Sequence, residues 1–223
     1  MRALVLGNAG DDDAGYVGEV LDGHGATLVT ALRDDGGALP DLDGFDAVVS
    51  LGSDWSVYWD HIGDAVARES ALLRTAVEGG RPVLGLCFGA QVLAHALGGT
   101  VEPAPRPEIG WYTVDTDVPD LLPTGPYVQW HSDRFVPPPG ATELARSPVG
   151  SQAYAVGRSL GLQFHPEATA AMVARWVAGG RDQLAAVGTD ADAFVAECER
   201  RAPEARDRAR LVVETFLSGA LVG

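Results

Sequence analysis

Residues 82–91 read Pro82-Val83-Leu84-Gly85-Leu86-Cys87-Phe88-Gly89-Ala90-Gln91, and the chain continues Val92-Leu93-Ala94-His95-Ala96-Leu97-Gly98-Gly99. An apolar run of strand character meets a Gly-x-Cys-x-Gly turn and then a segment of helical period. That is the pattern of a nucleophile held on a sharp strand-to-helix bend. Small residues two places before and after Cys87 let the strand and the helix approach, and the amides that open the helix favour thiolate over thiol. From 28 Gly and two Cys in 223 residues, this spacing arises by chance about 0.03 times. A buried structural cysteine after a parallel strand is the competing reading, so Cys87 needs partners before it counts as chemical.

The 223 residues suffice for one substantial core, and 46% hydrophobic with 21% charged residues is an ordinary globular balance. A formal charge of −15 argues against nucleic acid or anionic membrane as a general partner, because phosphate neutralisation needs clustered Lys and Arg. Cys87 and Cys198 are too few for a disulfide framework, which points to a reducing compartment. Ala3-Leu4-Val5-Leu6 is too short for a signal peptide, and no apolar window approaches a membrane span. The expected location is the cytoplasm.

Along the chain, residues 2–6, 26–30 and 46–51 read as strands of near-continuous apolar type, with a helix over 16–24 between the first two. This alternation means a parallel sheet covered on both faces. Gly52-Ser53-Asp54-Trp55-Ser56-Val57-Tyr58-Trp59 follows the third strand directly, so it and the Cys87 bend are expected at one edge of the sheet, the edge where such folds bind ligands. A glycine just after a strand lets a backbone N–H point into a site. An amphipathic helix over 61–78 closes at Gly79-Gly80. Beyond Gly99, Pro103, Pro105 and Pro107 mark an exposed connection. Short strands follow over 108–114, 127–130, 142–145, 152–156 and 160–164 and extend the sheet in antiparallel or mixed fashion. Helices are expected over 168–178, 191–200 and 204–217. The mixed charges of 197–210 read as a solvated face, and Cys198 within it as structural.

A cysteine nucleophile needs a base, and two His-x-acidic pairs offer one. In Gln163-Phe164-His165-Pro166-Glu167 the acid could orient the imidazole while Pro166 stiffens the backbone between them. His131-Ser132-Asp133 has the same spacing. Spacing alone does not choose between them. His95 reads as packed on the helix after the bend, and His24 and His61 have no suggestive company.

Residues 82–91 resemble the nucleophile motif of class I glutamine amidotransferases, and Phe164-His165-Pro166-Glu167 resembles that family's second signature. Glu108-Ile109-Gly110-Trp111 and Trp130-His131-Ser132-Asp133-Arg134-Phe135 are similar to segments of stand-alone members. The motifs span 52–167, and residues 181–208 carry none. The resemblance implies a single α/β domain over 1–223, with an open, mostly parallel, flavodoxin-like sheet flanked by helices, a short antiparallel extension and C-terminal helices over 168–220. It also implies a catalytic trio of Cys87, His165 and Glu167, an oxyanion hole from Gly52, Ser53 and Phe88, and substrate contacts from Gln91, His131, Ser132 and Asp133, with neither metal nor cofactor.

The implied reaction is hydrolysis of the γ-carboxamide of L-glutamine through a γ-glutamyl thioester. Ammonia would pass to a synthetase on another chain, since the sequence has no Walker-type phosphate loop. The chain departs from the family at Gly52-Ser53-Asp54-Trp55, where many members have a Gly-Gly-Pro or Gly-Ser-Pro run, and at Ala90, where a His is common. Two other readings therefore stand beside it: a hydrolase of another γ-glutamyl compound, and a non-catalytic regulatory subunit.

Overall fold

The structure, a computed structural model, describes residues 1–219. Residue 220, the end of the expected C-terminal helical region, lies outside the described residues. In chain order the elements are β1 (Arg2–Gly7), α1 (Gly15–Gly23), β2 (Thr27–Leu32), β3 (Ala47–Ser50), α2 (Gly63–Glu78), β4 (Val83–Leu86), α3 (Phe88–Ala96), β5 (Thr100–Thr116), β6 (Gly125–Val136), β7 (Thr142–Ser147), β8 (Gly150–Val156), β9 (Ser159–Leu162), α4 (Ala170–Val187) and α5 (Ala191–Ser218).

Among the described residues the strands form one sheet, in the order β2-β1-β3-β4-β9-β8-β7-β5-β6. The first five run parallel, and β9-β8-β7-β5-β6 pair antiparallel. Alternation along the parallel strands sends Ala3 and Val5 to one face and Leu4 and Leu6 to the other. Val17 and Leu21 of α1 with Val212, Val213 and Phe216 of α5 cover the first face. Val66 and Leu73 of α2 with Val92 and Leu93 of α3 cover the second. With both faces covered, strands β1, β3, β4 and β9 carry hardly any exposed side chain, which explains their unbroken apolar sequence. Among the described residues no helix is long and apolar enough to cross a membrane.

Three readings of the sequence are corrected. Pro103, Pro105 and Pro107 are exposed but lie inside β5, where the register with β6 jumps between Pro103 and Glu108. A strand tolerates prolines where an irregular ladder asks nothing of their missing N–H. Residues 191–200 and 204–217 form one helix through Pro203. Glu197–Arg201 and Glu204–Arg208 pairs bracket the proline, and Phe194 and Cys198 pack at one end while Val212 and Phe216 pack at the other. The helix expected to stop at 178 continues to Val187, kinked at Gly180, where the Trp130 indole occupies the space a side chain would take.

The approach of α3 to the end of β3 is tighter still. A Cβ on Gly89 would fall into the Ser50 carbonyl, and one on Gly85 would sit 2.8 Å from the Ala90 backbone. Tyr154 lies across Gly161 and donates to the Ala90 carbonyl at 2.8 Å, clamping the first turn of α3 to the sheet. Gly89→Ala is therefore expected to destabilise the protein by about 3 kcal/mol or more. Equilibrium urea unfolding measures this, and a midpoint equal to that of the parent protein would contradict the packing described.

Candidate active site

Cys87 occupies the bend between β4 and α3 with φ 49° and ψ −108°, and among the described residues no other non-glycine has a positive φ. Such backbone strain costs on the order of 1–3 kcal/mol and persists only where its surroundings over-determine it. Here the Cys87 N–H donates to the Leu162 carbonyl at 2.7 Å, and the Cys87 carbonyl accepts from Gln91 N–H at 3.0 Å. The buried thiol lies 3.7 Å from the Trp130 carbonyl and receives the Gln163 side-chain amide at 3.6 Å. Cys198 packs in a separate apolar cluster, where burial pushes its thiol up to about 11. Both thiols are free.

The two His-x-acidic pairs separate in space. His165 Nδ1 meets Glu167 Oε1 at 2.7 Å, and its buried Nε2 faces Cys87 and no other hydrogen-bonding group among the described residues. The His165 N–H donates to Val128 O on β6, and Glu167 O accepts from Tyr16 N–H of α1, so β6 and α1 fix the backbone on either side of Pro166. Burial disfavours the charged imidazole, but the Glu167 carboxylate and the Cys87 thiolate together outweigh it and hold the His165 pKa well above the usual histidine value. His131 is turned elsewhere: Nδ1 meets the Asp133 backbone carbonyl at 2.8 Å and Nε2 meets Glu108 at 3.2 Å. Both of its ring nitrogens are thus taken, and neither is left for the thiol.

Gly52 and Ser53 follow the end of β3, the strand that pairs with β4 before Cys87. A Cβ on Gly52 would lie 3.1 Å from His165 Cε1 and 3.6 Å from Cys87 Cβ, so a bare glycine is what leaves room between thiol and imidazole. The loop is tied at both ends. Asp133 accepts from Ser56 Oγ at 2.5 Å and from Tyr58 OH at 2.8 Å, and Trp55 packs edge-on against Phe88 at 6.1 Å. Beneath it lies Arg33, fully buried and paired with buried Glu69 of α2.

Of the residues expected to touch a ligand, Gln91, His131, Ser132 and Asp133 all line the cavity over Cys87. Gln91 Nε2 donates to Gln163 Oε1 at 3.2 Å and to the Asp133 carbonyl at 3.4 Å, while its Oε1 accepts from no group among the described residues. The side chains of His131 and Asp133 are fully engaged, whereas Ser132 is exposed and makes no side-chain hydrogen bond among the described residues. The cavity measures about 340 Å³ and runs from Gly52 and Cys87 past Trp130 to Arg175, Trp176 and Gln183 of α4. The Trp176 ring stacks obliquely at 4.9 Å from His165, a neighbour that the helical pattern of 168–178 does not reveal. Among the described residues no cluster of His, Cys, Asp and Glu could hold a metal ion.

The family model for glutamine amidotransferase class-I matches residues 61–173. The chain is 40% identical over 151 residues to a glutamine-hydrolyzing GMP synthase of Aeropyrum pernix, covering 64% of this chain and 27% of that protein. It is 36% identical over 137 residues to a subunit of the glutamine-hydrolyzing GMP synthase of Ignicoccus hospitalis, covering 57% of this chain and 70% of that one. The chain thus spans about a quarter of the first of these relatives. Among solved structures, a glutamine amidotransferase of Thermotoga maritima superposes with a TM-score of 0.88 at 26% identity, covering 97% of this chain and 98% of the other.

The charges around His165 fix the sign of its titration. Its proton is held by Glu167 and the thiolate, so it leaves only as pH rises well past the ordinary histidine value. In Glu167→Gln one of those charges is lost while burial persists, so the midpoint falls. NMR titration of the His165 ring checks this. A native midpoint at or below about 6.5, or no fall in the variant, would contradict the coupling.

Proposed function

The chain belongs to the class-I glutamine amidotransferase family, and from that premise we propose that it hydrolyses the γ-carboxamide of L-glutamine to glutamate and ammonia, with Cys87, His165 and Glu167 as the catalytic trio. One observation carries this reading: the buried His165 presents Nε2 to the strained Cys87 thiol and to no other group among the described residues, while Nδ1 is held by Glu167 at 2.7 Å. A buried ring nitrogen with only a thiol beside it costs the fold free energy, and such a cost is tolerated where the group has chemistry to perform.

In the proposed cycle the Cys87 sulfur attacks the γ-carbonyl carbon, and the carbonyl π electrons move onto oxygen. The oxyanion lies between the N–H groups of Gly52 and Ser53 on one side and of Phe88, at the start of α3, on the other. His165 gives its proton to the amide nitrogen, the C–N bond breaks and ammonia leaves, which forms the γ-glutamyl thioester. The now neutral His165 takes a proton from water as its oxygen attacks the thioester, and collapse expels the Cys87 thiolate with glutamate. Glu167 holds the imidazole in its orientation and balances its charge. Gln91 Oε1, which has no donor of its own, suits the substrate's ammonium or amide, and Ser132 is the free side chain on the opposite wall.

We take the ammonia acceptor to be a synthetase on another chain, on the likeness to the GMP synthase subunit from Ignicoccus hospitalis. A second reading has one observation in its favour. The cavity continues from Cys87 along α4 to Gln183, with Trp130 and Trp176 on its walls, and this leaves room for a γ-glutamyl amide whose leaving amine is larger than ammonia.

Steady-state assays with glutamine and a panel of γ-glutamyl amides separate the two. Under the first reading glutamine has the highest kcat/KM, and a substituted amide that surpasses it would favour the second. Cys87→Ala and His165→Ala are each expected to lower kcat by roughly 10⁴-fold or more, because members of such a unit fail together. His131→Ala should act through stability instead, since it leaves buried Glu108 short of a partner. Equal kinetic losses in the two histidine variants would sink the assignment of His165 as base.

A further inference from the structure

Arg33 ends up fully buried just beyond β2, and its guanidinium shares its donors between the loop after β3, the end of β1 and Glu69. Nη1 donates to the Gly52 carbonyl and to Asn8 Oδ1, both at 3.0 Å. Nη2 donates to the Leu51 carbonyl at 3.0 Å and the Leu6 carbonyl at 3.1 Å. Glu69 of α2, wholly buried, faces Nε at 2.9 Å and also accepts from Ser50 Oγ at 2.6 Å. The guanidinium carbon sits 5.0 Å from the centre of the Phe88 ring.

Two consecutive carbonyls, Leu51 and Gly52, thus point at one cation. Among the described residues no peptide is cis, and in a trans peptide the N–H lies opposite the C=O of the same unit. The amides of Gly52 and Ser53 therefore point away from Arg33. Neither donates to another protein group among the described residues. The side of Gly52 where a Cβ would project faces His165 and Cys87.

We propose that Arg33, neutralised by Glu69, is a positioning residue: it holds the Leu51–Gly52 and Gly52–Ser53 peptides so that their N–H groups are aimed in advance at the oxyanion of the reaction. The inference rests on the reading of Gly52 and Ser53 as oxyanion donors given above. A plain structural tie between β2 and α2 would need only the Arg33–Glu69 contact. It would not need a guanidinium forked across two successive carbonyls of a loop that borders the thiol. Lysine cannot replace it, because an ammonium is a point donor and not a planar fork. Aimed donors act on charge that develops only in the transition state, so their loss lowers kcat and leaves KM nearly alone.

The test uses the full chain with Arg33→Lys, which keeps the charge opposite Glu69, and Arg33→Met, which removes it. Three quantities are read: kcat and KM for L-glutamine, the rate of Cys87 alkylation by iodoacetamide from intact mass, and amide hydrogen exchange over residues 51–55. In Arg33→Lys the expected result is a fall in kcat of about 10²-fold with KM within about 3-fold, alkylation within about 2-fold of the parent, and exchange faster by about 10-fold or more. A kcat within about 3-fold of the parent, exchange that does not change, or alkylation that falls in step with kcat each overturns the proposal, the last because it would mean that the bend itself had collapsed. If Arg33→Met unfolds, Arg33→Lys decides alone. A parent protein that does not turn over glutamine defeats the substrate reading, and the exchange measurement then decides on Arg33 by itself.

Discussion

Ser50 and Gly89 lie so close that no side chain fits between them, and the architecture of the site follows from that approach. For α3 to start against the end of β3, the chain has to turn within one residue after Leu86. The residue that turns is Cys87, at a positive φ that hardly any side chain adopts. The strain is held by the Leu162 carbonyl on one side and by the Tyr154 clamp on Ala90 on the other. It lifts the thiol out of the β4 ladder and aims it over the carboxyl ends of β3, β4 and β9, where the Gly52 loop and the His165 segment also emerge. The same close packing that makes the core dense at this point presents the Cys87 thiol to the cavity.

Electrostatics completes what packing begins. The site buries a thiol, an imidazole and a carboxylate together, and the charges beside His165 outweigh the burial that would otherwise keep its ring neutral. A second buried pair, Arg33 with Glu69, lies on the far side of the Gly52 loop. Between the two, the loop has its carbonyls turned to the cation and its amides turned to the thiol. The outer part of the loop is held by the Asp133 carboxylate through Ser56 and Tyr58. Asp133, Arg33 and Phe88 come from three different parts of the chain, so the loop is fixed by tertiary structure and not by its own sequence.

That difference explains what can be read in advance. The bend at Cys87, the apolar parallel strands, the helices on both faces and the motif that contains His165 and Glu167 are written in short-range pattern, and each is visible in a window of about ten residues. The choice of His165 over His131 is not visible in spacing and rests on the resemblance to the family. In three dimensions the two histidines differ plainly, because both ring nitrogens of His131 are engaged, by the Asp133 carbonyl and by Glu108, whereas Glu167 engages only Nδ1 of His165 and leaves Nε2 to face Cys87. Arg33 and Glu69 give no signal at all. Each is a single charge at an element's end or on a helix, indistinguishable in sequence from a surface residue until the fold brings them together. The strand through three prolines and the helix through Pro203 escape for the opposite reason: local propensity is clear, and tertiary pairing overrides it.

The account stands on Cys87 as the atom that takes the acyl group. Rapid acid quench of the protein mixed with excess L-glutamine, followed by intact mass and peptide mapping, tests this directly. The account predicts a transient adduct of one γ-glutamyl group on the peptide bearing Cys87, absent in Cys87→Ala and longer lived in Glu167→Gln. Glutamine turnover without any adduct on Cys87, or turnover that survives in Cys87→Ala, would contradict it.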